Sequence, residues 1–205
     1  MIIASFFAHR YQQWEGVDYL PLLRLLDASC RRLGLRHMVI GDKALPGLET
    51  AVCGLPENLM AAILDGQRQL LEWAQEPILF VGADCLIAKD PRPIMAGDLT
   101  ITISPTFSDC VMNTGAIWCA DPARCATVWA DALRRNPSEW GSDQTALYAA
   151  MLGCDLDVRG VRAEDHNWAP RTVADAAGMP TVVHFRGPRK RWMADWAKRH
   201  MDLTC

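Results

Sequence analysis

The sequence predicts an α/β protein with a mostly parallel central sheet flanked by helices. Apolar runs of strand length alternate with segments whose apolar residues recur at helical spacing, which is the pattern of a parallel sheet with crossover helices. The first run, Ile2 to Phe7, is continuous rather than alternating, as in a strand buried on both faces. The 205 residues, half of them apolar, contain no internal repeat, low-complexity linker or long charge run, so residues 1–205 are expected to form one compact domain.

After the first strand, Leu22, Leu23, Leu26 and Leu33 recur at helical spacing, with Asp18 as N-cap and Gly34 as the stop. His37 to Ile40 is the second strand, closed by Gly41 and Asp42. A helix over Glu57 to Trp73 leads through Pro77 into a third strand, Ile78 to Gly82. Leu99 to Ser104 alternates Thr with apolar residues and predicts a half-exposed strand, and Ala116 to Cys119 predicts another. Helices follow over Pro122 to Arg134 and Ser142 to Leu152. Thr181 to Phe185 is the last strand, before a basic turn and a Trp-rich terminal helix in which Trp192 and Trp196 are expected to pack.

A net charge of −3 supplies no overall drive toward nucleic acid or anionic lipid, leaving a local basic patch at Arg186, Arg189, Lys190 and Arg191. The short run Ile2 to Ala8, followed by His9 and Arg10, lacks the basic start and length of a signal peptide, and no segment reaches the ~20 apolar residues of a membrane span. These features predict a cytoplasmic protein without a membrane span. Its cysteines, Cys30, Cys53, Cys85, Cys110, Cys119, Cys125, Cys154 and Cys205, are then expected to be reduced thiols and small core residues. No CxxC pair or Cys/His cluster has the spacing of a structural zinc site.

Two segments carry chemistry. In Ile78 to Pro91 an apolar strand ends in Asp84. The carboxyl ends of strands in open α/β sheets are where ligands are held, and a hard oxygen ligand there suits Mg²⁺ or Mn²⁺ carrying a diphosphate. A carboxylate at such a junction equally caps the following turn, and both readings stand. In Val182 to Trp192 a strand runs into a Gly-containing basic turn. His184 can complete a metal site, Gly187 lets the backbone approach a phosphate closely, and Lys190 supplies a point charge.

Gly82-Ala83-Asp84, Asn113-Thr114-Gly115, Asp143-Gln144 and His184-Phe185 with Gly187, Lys190 and Trp192 occur in that order. This pattern resembles the GT-A glycosyltransferases, and most of all glycosyltransferase family 8, the glycogenin and galactosyltransferase-like group. That family carries Asp-x-Asp, Asn-x-Gly, Asp-Gln and His-Phe-x-Gly-x-x-Lys-x-Trp, of which the last is the most specific. The resemblance implies a GT-A (nucleotide-diphospho-sugar transferase) fold and transfer of a sugar from a nucleotide diphosphate sugar, a UDP-sugar, to an acceptor the sequence does not identify.

By the same resemblance Asp84 and His184 bind the cation, Mn²⁺ or Mg²⁺, and Gly187 and Lys190 bind the diphosphate. Asn113, Gly115, Asp143 and Trp192 would lie around the donor sugar or acceptor, Gln144 near the anomeric carbon, and the loop from Ser5 to Tyr11 against the nucleotide. Gly82 stands where the family has the first Asp, so the metal site lacks one carboxylate.

A retaining reaction needs no protein base, because the leaving phosphate can take the acceptor proton, and this is the course the family implies. An inverting one would use Asp143, or Asp165, as base. The segment Arg162 to Pro170 is either a surface loop or an acceptor-facing one, and Trp140 either stacks on a sugar or sits in the core. Two other functions fit: a non-catalytic sugar-nucleotide-binding protein, suggested by Gly82, and a sugar-nucleotide nucleotidyltransferase, disfavoured by the absence of Gly from Ser5 to Arg10.

Overall fold

The computed structural model describes residues 1–14, 16–104, 112–176 and 178–204. Among these the elements run β1 (Ile2–Phe7), β2 (Gln13–Trp14), β3 (Val17–Asp18), α1 (Tyr19–Arg32), β4 (Arg36–Gly41), β5 (Thr50–Val52), α2 (Leu59–Trp73), β6 (Ile78–Val81) and β7 (Cys85–Ile87). They continue with β8 (Leu99–Ile103), β9 (Met112–Cys119), α3 (Pro122–Arg134), α4 (Ser142–Leu152), β10 (Val158–Arg162), α5 (Ala163–His166), β11 (Val182–His184) and α6 (Met193–Met201).

Helix starts are set by side chains that satisfy free N–H groups of the first turn. Asp18 accepts from Leu20 N at 3.1 Å, Asn58 from Met60 N at 2.9 Å and Ala61 N at 3.1 Å, and Asp121 from Arg124 N at 3.2 Å. Gly34, with φ of 65°, ends the first helical segment as the sequence predicts.

The central sheet has the order β10-β8-β9-β6-β1-β4-β5 among the described residues. β9 runs antiparallel to both β6 and β8, and the other neighbouring pairs are parallel. Successive side chains point to opposite faces. Ile2, Ala4, Ile78 and Phe80 therefore pack on one side with Leu64 and Leu70 of α2, Trp129 of α3 and Leu147 of α4. Ile3, Leu79 and Val81 pack on the other with Leu26 and Cys30 of α1 and with β7 and β11, which pair with each other in a small separate sheet.

One expectation needs correction. Leu99 to Ser104 is buried, not half-exposed, because its threonines find partners inside the protein. Thr100 Oγ1 donates to Ala96 O at 2.6 Å and Thr102 Oγ1 to Asn113 O at 2.8 Å. Thr181 to Phe185 holds the expected last strand, β11, which pairs with β7 in the small sheet. The segment Arg162 to Pro170 is not simply a surface loop: it closes β10 and forms α5, and Asn167 behind it is 1% exposed. Of the cysteines, Cys30, Cys53, Cys85, Cys119 and Cys125 are buried thiols and Cys154 is half-buried, while Cys110 and Cys205 lie outside the described residues.

A polar chain crosses the α1 face. Ser5 Oγ lies 2.9 Å from His37 Nε2, His37 Nδ1 lies 3.4 Å from Asp27 Oδ1, and Arg31 Nε donates to Asp27 Oδ2 at 2.6 Å. Burial raises the Asp27 carboxyl's pKa, but His37 and Arg31 outweigh it and the net direction is downward. A carboxyl depressed in the folded state contributes stability at pH values above its unfolded pKa, and that contribution is lost as pH falls through the folded one. Asp27→Asn is therefore expected to lower the melting temperature at pH 7 by roughly 3–10 °C. The gap should narrow below about pH 4, and thermal melts across pH check both.

Candidate active site

The chain leaves β1 through α1 to β4 on one side and returns through α2 to β6 on the other. That reversal opens a crevice at the carboxyl ends of the parallel strands, where α/β proteins hold ligands. A cavity of about 310 Å³ lies there. Phe6, Phe7 and Ala8 at the end of β1 and Val81 to Asp84 after β6 line it, facing Asn113 to Gly115 of β9, Asp143 and Gln144 of α4, and His184 and Lys190.

The pairing of β7 with β11 joins the two chemical segments. Cys85 stands opposite His184, and Phe185 N donates to Asp84 O at 2.9 Å, so residues a hundred positions apart become neighbours. Asp84 Oδ1 lies 3.4 Å from His184 Nε2, and Asp84 Oδ2 lies 3.7 Å from Lys190 Nζ. Burial alone would raise the Asp84 carboxyl's pKa, but His184 and Lys190 overcome it and hold the group ionised below the usual carboxylate range. Lys190 is only 6% exposed, with its ammonium 5.4 Å from the Tyr19 ring centroid. It belongs to the cavity and not to a solvated basic turn.

A hydrogen-bond chain sets the state of His184. The backbone N–H of Gly115 donates to Asn113 Oδ1 at 2.9 Å, which makes that atom an acceptor, so the Asn167 atom 2.7 Å from it is the donor Nδ2. Asn167 Nδ2 also reaches Thr102 Oγ1 at 3.1 Å. The remaining Asn167 atom, Oδ1, must accept, and it lies 3.1 Å from His184 Nδ1, which therefore carries a hydrogen. Arg186 Nε stands 3.3 Å from the same nitrogen, and the shorter contact with an obligate acceptor decides the assignment. His184 Nε2 is left facing the Asp84 carboxylate, with a lone pair whenever the ring is neutral.

The fit to a divalent cation follows. An imidazole lone pair and a carboxylate oxygen 3.4 Å apart are two acceptors that a shared cation reconciles. Asp84, Cys85 and His184 each offer a ligand atom within 4.8 Å of the others. Asn167 would then be the outer partner that orients a ligating ring. Asn167→Ala is expected to weaken divalent-cation binding about 10–100-fold. Cation titration checks this, and an affinity within about twofold of the original would contradict it.

Asn-x-Gly has a physical reason here. A Cβ on Gly115 would overlap His184 Nδ1 and lie 2.5 Å from Cε1, so only glycine leaves room for the ring. At Gly82 a Cβ would overlap Asp84 Oδ1, so the Asp84 carboxylate occupies the space that a side chain at position 82 would need. Thr114 N and Oγ1 donate to Gln144 Oε1 at 3.2 and 3.3 Å, which leaves the Gln144 amide nitrogen as the end available to a ligand. Burial raises the pKa of the Asp143 carboxyl, with only partial compensation from the backbone N–H groups of Gln144 and of Asp143 itself.

The structure thus brings Asp84, Asn113, Gly115, Asp143, Gln144, His184 and Lys190 together on one cavity. Ser5 is not with them: it is 1% exposed within β1 and bonded to His37, while Phe6 to Ala8 and Tyr11 take the cavity wall. Trp192 is half-buried away from the cavity lining, and Gly187, with φ of 57°, has open space where a Cβ would project. Trp140 lines the mouth and is 68% exposed, so it is not a core residue. Tyr19, Cys85 and Asn167 carry no motif of their own, and their importance appears only through contacts across the fold.

No protein-family model matches the sequence, and no curated protein matches it. Solved structures do. The apo form of the glycosyltransferase GlyE of Streptococcus pneumoniae TIGR4 superposes with a TM-score of 0.63 at 12% identity, covering 95% of this chain and 59% of GlyE. A glycosyltransferase involved in glycosylation of the major capsid of PBCV-1 gives 0.60 at 13%, covering 94% and 98%. The galactosyltransferase LgtC, solved with donor and acceptor sugar analogs, gives 0.58 at 14%, covering 97% and 96%. The chain has a glycosyltransferase fold.

In this glycosyltransferase fold the cavity at β1 and β6 is the crevice the topology provides. The chain spans about three fifths of the length of GlyE. Among the described residues no helix is long and apolar enough to cross a membrane.

Proposed function

We propose that the chain transfers a sugar, with retention, from a nucleotide diphosphate sugar, a UDP-sugar, to an acceptor hydroxyl, assisted by Mn²⁺ or another divalent cation. The observation that carries this reading is the convergence of Asp84, His184 and Lys190 at the carboxyl ends of β1 and β6. A buried carboxylate, an oriented imidazole and a buried ammonium are the groups a diphosphate and its cation require.

Asp84 and His184 would hold the cation, which when bound neutralises charge on the leaving diphosphate. Lys190 adds a fixed positive charge at the same place, and Gly187, with no atom within 4 Å of where its Cβ would stand, would leave room for a phosphate oxygen to approach. The bond from the anomeric carbon to the diphosphate breaks, the acceptor oxygen bonds to that carbon on the same face, and its proton passes to the departing phosphate. Gln144 offers its amide N–H to the donor sugar. Trp140 at the mouth offers a face to an acceptor sugar.

Asp143, poorly hydrated, gains from the positive charge that develops at the anomeric centre. Its carboxyl is raised by burial, so ionising it costs stability above the folded pKa and nothing below the unfolded one. Asp143→Asn is accordingly expected to melt a few degrees higher at pH 7, by a margin that closes as pH falls, while turnover drops about tenfold or more. An unchanged turnover would remove Asp143 from the mechanism.

The reading is tested by offering nucleotide diphosphate sugars with Mn²⁺ and measuring released nucleoside diphosphate. Release with at least one donor is expected. Binding without release from any donor, with a panel of sugar acceptors present, would favour the non-catalytic sugar-nucleotide-binding protein that Gly82 suggests.

A further inference from the structure

We infer that Cys85 is the third protein ligand of the cation held by Asp84 and His184, and that its thiolate shifts the site toward thiophilic cations such as Zn²⁺ and Co²⁺. The inference deepens the metal-site part of the proposed function and rests on it.

Three observations carry it. Cys85 and His184 are direct partners in the antiparallel β7–β11 pair, and residues so paired project to the same face of a sheet. The ligand atoms of Asp84, Cys85 and His184 lie within 4.8 Å of one another. Cys85 Sγ is also 3.6 Å from where a Cβ on Gly82 would stand, so the thiol borders the position from which a second carboxylate is missing.

One oxygen, one nitrogen and one sulfur with a fourth position left to a phosphate oxygen make a donor set suited to Zn²⁺, whereas Mg²⁺ and Mn²⁺ favour oxygen alone. The thiol proton, now directed at Gly115 O 3.6 Å away, is released to solvent as the sulfur–metal bond forms. Cys85 is fully buried and does not line the cavity, whereas its neighbour Asp84 does, so the sulfur would meet the cation from the protein side and leave the cavity side to the donor.

Metal-free protein titrated with Co²⁺ alone tests the assignment. A thiolate-to-cobalt charge-transfer band in the near ultraviolet is expected, and Zn²⁺ should abolish it by displacement. In Cys85→Val, which keeps the apolar character of a buried site, the band should vanish, and Co²⁺ should bind about tenfold or more weakly. The preference for Zn²⁺ over Mn²⁺ should narrow in the same variant. Cys85→Ser, which keeps the size but replaces sulfur by oxygen, should lose the band too.

Co²⁺ bound to the unaltered protein without that band overturns the inference, whether or not either variant folds, and so does the absence of Co²⁺ binding. Nucleoside diphosphate binding with Mn²⁺ in a protein lacking the band would leave the transferase reading standing. The band without nucleoside diphosphate binding to any cation form would do the reverse.

Discussion

Lys190→Met should reduce turnover by about 10²–10³-fold, the range for removing one preorganised electrostatic contact from a transition state. Methionine keeps an unbranched stem and removes the ammonium, which stands 3.7 Å from Asp84 Oδ2 and 5.4 Å from the Tyr19 centroid. In the proposed transfer, charge grows on the diphosphate as it departs, so the contact would be stronger in the transition state than with bound donor. The loss should fall on kcat more than on KM for the donor. The Asp84 carboxyl also loses the positive charge of Lys190 that helps hold its pKa down, so cation binding should become more sensitive to acid in the variant. Steady-state kinetics of nucleoside diphosphate release and cation titrations below neutral pH measure both effects. An unchanged kcat would place Lys190 outside the chemistry.

Gly115→Ala carries the second large effect, on stability and on the site together. The added methyl overlaps His184 Nδ1 and lies 2.8 Å from Asn113 Oδ1, so either the imidazole leaves its place or β9 and β11 shift apart. Overpacking of this kind costs about 1–3 kcal/mol, a fall in melting temperature of roughly 2–12 °C for a chain of this size. Cation binding should weaken at least about tenfold, since the displaced ring no longer faces Asp84. The decisive comparison is with the double variant. His184→Ala opens the space that the new methyl at position 115 needs, so the two changes together should melt higher than Gly115→Ala alone while cation binding stays lost. Purely additive destabilisation would show that Gly115 is not shaped by the ring.

These effects show which parts of the site a linear reading reaches. Strand and helix positions follow from apolar periodicity and caps: Asp18 and Gly34 bound α1 because each satisfies or ends a helix by its own chemistry. Leu99 to Ile103 was harder, because a threonine bonded to an internal carbonyl and one bonded to water look alike in a sequence. Asp84 and His184 stand out as strand-end residues, but Asn167 does not. Its meaning lies in contacts with Asn113, 54 positions away, and with His184, and no spacing rule encodes those. Ser5 is misplaced by a smaller cause: it lies inside β1, buried and bonded to His37, whereas the cavity opens at the strand's carboxyl end, which Phe6 to Ala8 line. Gly115 reads as a weak motif in the chain and as a steric requirement once His184 is beside it.

Calorimetric titration of the chain with UDP tests whether the crevice at β1 and β6 holds a nucleoside diphosphate through Asp84, His184 and Lys190, as proposed. With Mn²⁺ present, one equivalent should bind; in His184→Ala, and with metal removed by chelation, affinity should fall about tenfold or more. UDP binding that is unaffected by both chelation and the His184→Ala change, or no UDP binding with any divalent cation, would contradict the account.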